Sequence, residues 1–387
     1  MITRQIAPAI RDQIGKYSVI MITGPRQSGK TTLIREYFPD LPYLSLEHPA
    51  TRQQLAADPN ALFHQYGHRL ILDEVQRLPV LLSYIQGIVD EDRDSLFILS
   101  GSQNYLMMEG VSQTLAGRVA LFYLLPLSYT ELSSANYHHL NINELIWSGG
   151  YPRIYDRQVD VNAFYQSYIE TYVQRDVRLI RNVGNLNVFN QFLAVCATFA
   201  GQELNRNALA AAAGVSHTTV GNWLSILEAS YIIYRVHPYY RNFKKRLVKS
   251  PRLYFYDTGL ACALLRIRSA AALQNYYQRG ALFENWVVTE LAKAYYNAGD
   301  RPPFYYWRDS NQREIDLLVD LGTAIRPIEI KSGSTYSNDF FKHLAWFTEL
   351  SPIPIETPTV IYGGDQDWAA DYGQLVSWRR VSSLLNE

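Results

Sequence analysis

Short apolar runs alternate with amphipathic stretches through the first third of the chain: VIMIT, a helix-like run after Lys30, then YLSL, RLILDE and SLFILSG. Apolar runs of this length read as strands. Strands that alternate with helices predict a parallel sheet covered on both faces. From about Tyr137 to Asn190 the period changes. AFYQSYIETYVQRDVRLI repeats apolar or aromatic residues at three- and four-residue spacing, which marks a helix packing one face. Leu204 to Tyr256 reads as helix, turn, helix, then two strands around a basic loop. From about Gly280 an amphipathic helix leads into strands at FYYW, EIDLLVD and PIEIK. No internal repeat or low-complexity linker interrupts this order.

A chain of 387 residues exceeds one ordinary domain, so two or three units are expected, and with 48% hydrophobic and 19% charged residues each can bury a core. No apolar stretch reaches the roughly 20 uncharged residues of a membrane-spanning helix, and MITRQIAPAIRDQIGKY lacks the apolar centre of a secretory signal. A cytoplasmic protein without a membrane partner is the expectation. Cys196 and Cys262 lie in apolar, helix-like runs with no ligand-spaced Cys or His, and are expected in the core. The net charge is zero, which argues against polyanion binding by bulk charge. Locally the picture differs. Between Arg235 and Arg252 there are seven Lys or Arg and no Asp or Glu, interleaved with Tyr239, Tyr240 and Phe243.

The candidate chemistry starts at GPRQSGKT, Gly24 to Thr31, which follows the strand VIMIT and opens a helix-like run. That context is the one a phosphate-binding loop requires. Gly24 and Gly29 let the backbone curl through Pro25, Arg26, Gln27 and Ser28, so that successive N–H groups face phosphates at a helix N-terminus that includes Thr32. Lys30 would reach the β- and γ-phosphates of ATP, and the Thr31 hydroxyl would ligate Mg2+. Leu70-Ile71-Leu72-Asp73-Glu74 is an apolar strand ending in two acids. Asp73 is expected to hold the magnesium ion, directly or through water, and Glu74 to act as general base. The next apolar strand ends in SGSQ, where Ser102 is the chosen sensor of the γ-phosphate.

These residues resemble the bacterial and archaeal AAA-type ATPases whose C-terminal domain is catalogued as of unknown function. The likeness rests on GPRQSGKTTL, LILDEVQ, LSGSQ, LAGRV, PLSYTEL, GGYPRIYD and YIETYVQRDV and spans the whole chain. It implies an α/β architecture: a P-loop AAA-type core with a parallel sheet over 1–135, a helical lid and winged-helix segment over 136–265, and a restriction-endonuclease-like α/β domain over 266–387. Relatives often form rings, so a homo-oligomer is an expected assembly with no subunit number fixed. In ring-forming ATPases an arginine reaches the γ-phosphate from a neighbouring subunit. Arg118 of LAGR is the leading candidate, ahead of Arg175 and Arg178. An ordinary intrachain ion pair is the alternative for each.

Within NRNALAAAAGVSHTTVGNWLSILEASYII, Leu209 starts the core of a first helix, Gly214 and Val215 turn, and Ser216 caps a second. Val220, Leu224 and Leu227 form its buried stripe. The opposite face, with His217, Thr218, Asn222 and Ser225, is polar but barely basic, and the loop from Arg241 to Lys249 could supply phosphate contacts as a wing does. DNA contact and structural packing both stay open.

Farther on, Glu284 lies on ALFENWVVTEL, Asp316 in EIDLLVD, and Glu329 with Lys331 in IEIK, where residues two apart share a face. The set looks like the PD-(D/E)xK nuclease pattern. By that resemblance Asp316 and Glu329 would bind Mg2+ or Mn2+, Glu284 would add a carboxylate, and Lys331 would orient or activate water. The expected function is Mg2+-dependent ATP hydrolysis coupled to a nuclease-like domain that interacts with DNA. The alternatives are an ATP-gated switch that binds protein or nucleic acid without cutting, and a transcriptional regulator.

Overall fold

The first sheet is apolar along whole strands because both its faces are covered. In the computed structural model its five strands are β1 (Val19–Thr23), β2 (Tyr43–Ser45), β3 (Arg69–Asp73), β4 (Leu96–Gly101) and β5 (Val119–Tyr123). They run parallel in the order β2-β3-β4-β1-β5. Successive side chains alternate between faces. Val19, Met21, Leu70, Leu72, Phe97 and Leu99 pack with Leu62, Phe63, Leu81 and Ile85, whereas Ile20, Ile22, Ile71 and Ile98 pack with Ile10, Leu33, Ile34 and Phe38. Helix α1 (Lys30–Tyr37) supplies Leu33 and Ile34, and α2 (Leu81–Glu91) supplies Leu81 and Ile85. The carboxyl ends of β1, β3 and β4 therefore open on one rim, where α/β sheets place ligands.

The structure describes residues 2–102, 114–173, 186–239, 250–309 and 311–385. Arg175, Arg178 and the basic loop from Arg241 to Lys249 lie outside the described residues. The chain divides into two compact units: 1–127 with 229–231 and 296–300, and the remaining residues. Among the described residues no helix is long and apolar enough to cross a membrane.

The second unit holds a nine-stranded sheet in the order β13-β14-β12-β11-β10-β9-β7-β8-β6. Its strands are β6 (Gln202–Glu203), β7 (Ile233–Pro238), β8 (Arg252–Phe255), β9 (Phe304–Arg308), β10 (Glu314–Asp320), β11 (Ile325–Lys331), β12 (Thr359–Tyr362), β13 (Trp368–Ala370) and β14 (Gly373–Ser377). β7 joins the two halves, running antiparallel to β8 and pairing in parallel with β9 through His237 and Pro238. β10 carries one irregularity: its register against β9 shifts between Ile315 and Leu318, the stretch that holds Asp316.

Ahead of these strands, α3 (Val161–Tyr168) and α4 (Leu186–Thr198) lead to α5 (Arg206–Ala213) and α6 (His217–Ala229). Gly214 closes α5 in the left-handed region, and the Ser216 hydroxyl accepts from Thr219 N at 3.1 Å to cap α6. Val220, Leu224 and Leu227 are buried, as is Leu209, and Trp223 seats edge-on against Phe189 and Phe192 of α4. Cys196 and Cys262 are free and buried, and burial pushes both thiols well above their ordinary range.

The GGYPRIYD segment has a packing explanation. Gly149 sits at φ 63°, ψ −161°, and a Cβ there would meet Tyr165 Oη at 2.2 Å and Asp257 Oδ1 at 2.4 Å. Asp257, buried, accepts from Gly150 N at 2.7 Å, Tyr165 Oη at 2.6 Å and Leu260 N at 2.9 Å. Substituting Gly149→Ala should destabilise this unit by about 1–3 kcal/mol from backbone strain, with the clash added. Urea unfolding followed by tryptophan fluorescence should show a lowered midpoint, and an unchanged midpoint would refute the account.

Candidate functional site

Gly24 leaves β1 at φ 148°, and a Cβ on it would stand 2.2 Å from Leu124 O, so only glycine lets the loop pass the β5 exit this closely. Gln27 and Gly29 also take positive φ, at 57° and 96°, curling the loop into the first turn of α1. Arg4 braces the curl from outside. Its guanidinium donates to Ser28 O and Leu125 O, both at 2.6 Å. Lys30 is buried, and its Nζ donates to the carbonyls of Gly24 at 2.9 Å and Pro25 at 2.8 Å. Within the same loop Pro25 and Ser28 are buried, Arg26 is half-buried, and Gln27, Thr31 and Thr32 are exposed.

Asp73 ends β3 only 4% exposed and is met by hydroxyls on both oxygens. Thr31 Oγ1 donates to Oδ2 at 2.8 Å, Tyr43 Oη donates to Oδ2 at 2.5 Å, and Ser100 Oγ donates to Oδ1. Burial raises the Tyr43 phenol well above its ordinary value, and the Asp73 carboxylate adds to the rise, so Tyr43 stays a proton donor. Arg35 lies over the Tyr43 ring at 4.6 Å. The neighbouring Glu74 adopts φ 60°, ψ 45°, a left-handed conformation that turns its carboxylate toward the loop after β4. There Glu74 Oε2 accepts from Gln76 Nε2 at 2.5 Å and Ser102 Oγ at 3.3 Å. Arg118 forms a bidentate pair with Asp90 of α2, at 2.5 and 3.0 Å, and this pair raises its pKa.

The structure thus gathers Lys30, Thr31, Asp73, Glu74 and Ser102 on one rim and engages Arg118 elsewhere in the same unit. Sequence reasoning missed Arg4, Tyr43 and Ser100. For Ser100 the signal was the polar SGSQ at the end of its strand, and the β3–β4 register, with Leu72 opposite Leu99, brings it to Asp73.

In the second unit the four residues of the nuclease-like pattern lie close enough to influence one another's charges, and two of them, Glu284 and Asp316, meet a residue the pattern does not contain. Arg252 on β8 is 4% exposed and lies 4.9 Å over the Tyr306 ring. Its guanidinium donates to Glu284 Oε1 at 3.0 Å and Glu314 Oε2 at 2.9 Å and lies 3.5 Å from Asp316 Oδ1. Tyr254 Oη also donates to Glu284 Oε1, at 2.7 Å. Asp316 Oδ2 accepts the backbone N–H of Ile330 at 2.9 Å. Lys331 Nζ donates to Glu329 Oε2 at 2.5 Å, while Glu329 Oε1 is buried without a hydrogen-bond partner, 3.9 Å from His343 Nδ1. Burial pushes Glu284 up to about 8, with the charges of Asp316 and Glu314 adding to the rise and Arg252 opposing it. Burial likewise raises Glu329 well above its ordinary value, helped by Asp316. Among the described residues no group of three or more His, Cys, Asp and Glu is arranged to hold a metal ion.

A glycine-curled loop between a buried strand and a helix, with a buried aspartate two strands away, defines a P-loop ATPase domain, and residues 16–133 match the family described as AAA domain. The chain belongs to the family of Rv2008c, an uncharacterized protein of Mycobacterium tuberculosis, to which it is 30% identical over 339 residues, 86% of this chain and 75% of that protein. Mb2031c of Mycobacterium bovis, also uncharacterized, matches with the same figures. Residues 139–271 and 279–381 match two domains of unknown function, DUF8612 and DUF4143. Among solved structures, the Walker-type ATPase PABY2304 of Pyrococcus abyssi aligns with a TM-score of 0.45 at 15% identity, over 68% of this chain and 96% of that one.

Removing the Tyr43 hydroxyl tests the shell of Asp73. Tyr43→Phe should weaken Mg2+-dependent ATP binding by about tenfold, the effect of losing one hydrogen bond to a charged group. Binding measured in EDTA should be unchanged. Equal loss in both conditions would show that Tyr43 acts on the loop instead of on Asp73.

Proposed function

We propose that this chain is a Mg2+-dependent ATPase whose nucleotide state gates a DNA-interacting second unit. The observation that carries the first half is the 2.8 Å hydrogen bond between Thr31 Oγ1 and Asp73 Oδ2. A hydroxyl and a carboxylate at that spacing beside the phosphate loop are the hard oxygen donors that magnesium prefers, so the residues fit the ion. Bound there, Mg2+ would offset charge on the β- and γ-phosphate oxygens. Lys30 would exchange the Gly24 and Pro25 carbonyls for phosphate oxygens. Glu74, aimed by its left-handed backbone and held by Gln76 and Ser102, would take the proton of the attacking water. For Arg118 to reach a γ-phosphate in a neighbouring subunit of a homo-oligomer, it would have to leave Asp90.

The order α5, turn, α6, β7, β8 supports reading that segment as a winged helix, and the acid-free run of Arg241, Lys244, Lys245, Arg246 and Lys249 supports DNA as the partner, the flanking Arg235 and Arg252 being paired with acids. A second reading, in which the C-terminal domain also cleaves DNA with metal at Asp316 and Glu329, is favoured by the convergence of Glu284, Asp316, Glu329 and Lys331. Incubation with plasmid and oligonucleotides in Mg2+ and Mn2+, with and without ATP, separates the two readings.

Lys30→Ala should abolish ATP binding. Glu74→Gln should preserve binding while slowing hydrolysis by about 10²–10⁴-fold, and hydrolysis at the wild-type rate would remove Glu74 as the base. Reversing charge at Lys244, Lys245 and Arg246 should weaken DNA binding and reduce its salt slope by about one for each phosphate that is no longer neutralised. An unchanged slope would return the basic stretch to a packing role.

A further inference from the structure

The nuclease-like pattern implies a divalent cation among the acids of the second unit, and the arrangement of those acids opposes it. Three carboxylates from two elements converge on one cation, but that cation is a guanidinium. Glu284 comes from α7 (Arg279–Ala298), and Glu314 and Asp316 come from β10. All three carboxylates lie within 3.5 Å of Arg252. Tyr306 fixes the guanidinium plane by stacking beneath it at 4.9 Å.

Arg252 already supplies the positive charge that a metal would bring to these acids, and further donors hold one oxygen of several of them. Glu284 Oε1 accepts from both Arg252 and Tyr254, Asp316 Oδ2 from the Ile330 amide, and Glu329 Oε2 from Lys331. Glu329 Oε1 is buried without a hydrogen bond and lies outside the three acids that Arg252 gathers. A divalent ion brought within ~4 Å of a guanidinium this deeply buried would also be repelled strongly, because little water screens the two charges.

We propose that the Arg252 guanidinium stands where a nuclease-like acid cluster would hold its divalent cation, and that the second unit keeps this cluster free of metal. Arg252 is then a charge substitute, and the domain acts by binding. This inference is independent of the ATPase reading, since it concerns residues of the second unit alone.

The test is Mn2+ binding to the full chain without nucleotide, read by electron paramagnetic resonance of free Mn2+. Asp73→Asn serves as the parent so that the P-loop carboxylate does not contribute. The parent should bind no Mn2+ that a further Asp316→Asn removes. Adding Arg252→Gln should gain about one Mn2+ per chain, and Asp316→Asn on top of it should abolish the gain. Mn2+ binding by the parent that Asp316→Asn removes would overturn the proposal, whether or not the Arg252 variant folds. An Arg252→Gln protein with parental circular dichroism and no added Mn2+ would overturn it as well.

Discussion

A carboxylate buried at a strand end must be hydrogen-bonded, and Asp73 makes that requirement the organising constraint of the first unit. An ionised acid with little access to water costs several kcal/mol unless its oxygens are satisfied. Three hydroxyls from three different elements meet it: Thr31 from α1, Tyr43 from β2 and Ser100 from β4. Satisfying Asp73 therefore fixes the first turn of the loop helix against two strands of the sheet. Arg4 completes the arrangement by holding the loop carbonyl of Ser28 together with that of Leu125 just beyond β5.

The same rule shapes the second unit with different donors. Asp257 ties the Gly149–Gly150 turn to α3 through Tyr165. Glu290 is buried with Lys293 at 2.7 Å and accepts Tyr129 N, also at 2.7 Å. Arg252 gathers three acids. Breaking such a pair by removing one partner costs more than the pair contributes, because it leaves a charge unmatched in the interior. These buried charges tie helices, turns and strands of the second unit to one another.

Much of this was legible in sequence where the signal is local. VIMIT is β1 to the residue, EIDLLVD is β10, and the Gly24–Thr31 spacing already implies a loop folding onto a helix start. Ser216 as a cap and Val220, Leu224 and Leu227 as a stripe follow from helical period alone. Contacts that depend on strand order were not legible. Tyr43 reaches Asp73 because β2 lies beside β3, and Arg252 reaches Glu314 because β7 joins β8 to the sheet that holds β10. In sequence Arg252 is only the last member of a basic stretch. Glu329 and Lys331 could be placed on one face by period, but the cation that meets Glu284 comes from 32 positions before it.

The two buried acid sites differ in what it takes to vacate them. Around Asp73 the partners are neutral hydroxyls, each worth about 1.5–3 kcal/mol net and able to rotate toward another acceptor. Thr31 can therefore turn its hydroxyl toward an incoming ligand while Tyr43 and Ser100 still meet Asp73. Around Glu284 and Asp316 the partner is a buried guanidinium that cannot deprotonate and, once displaced, would have to find another counter-charge. Local energetics thus make the first site exchangeable and the second fixed.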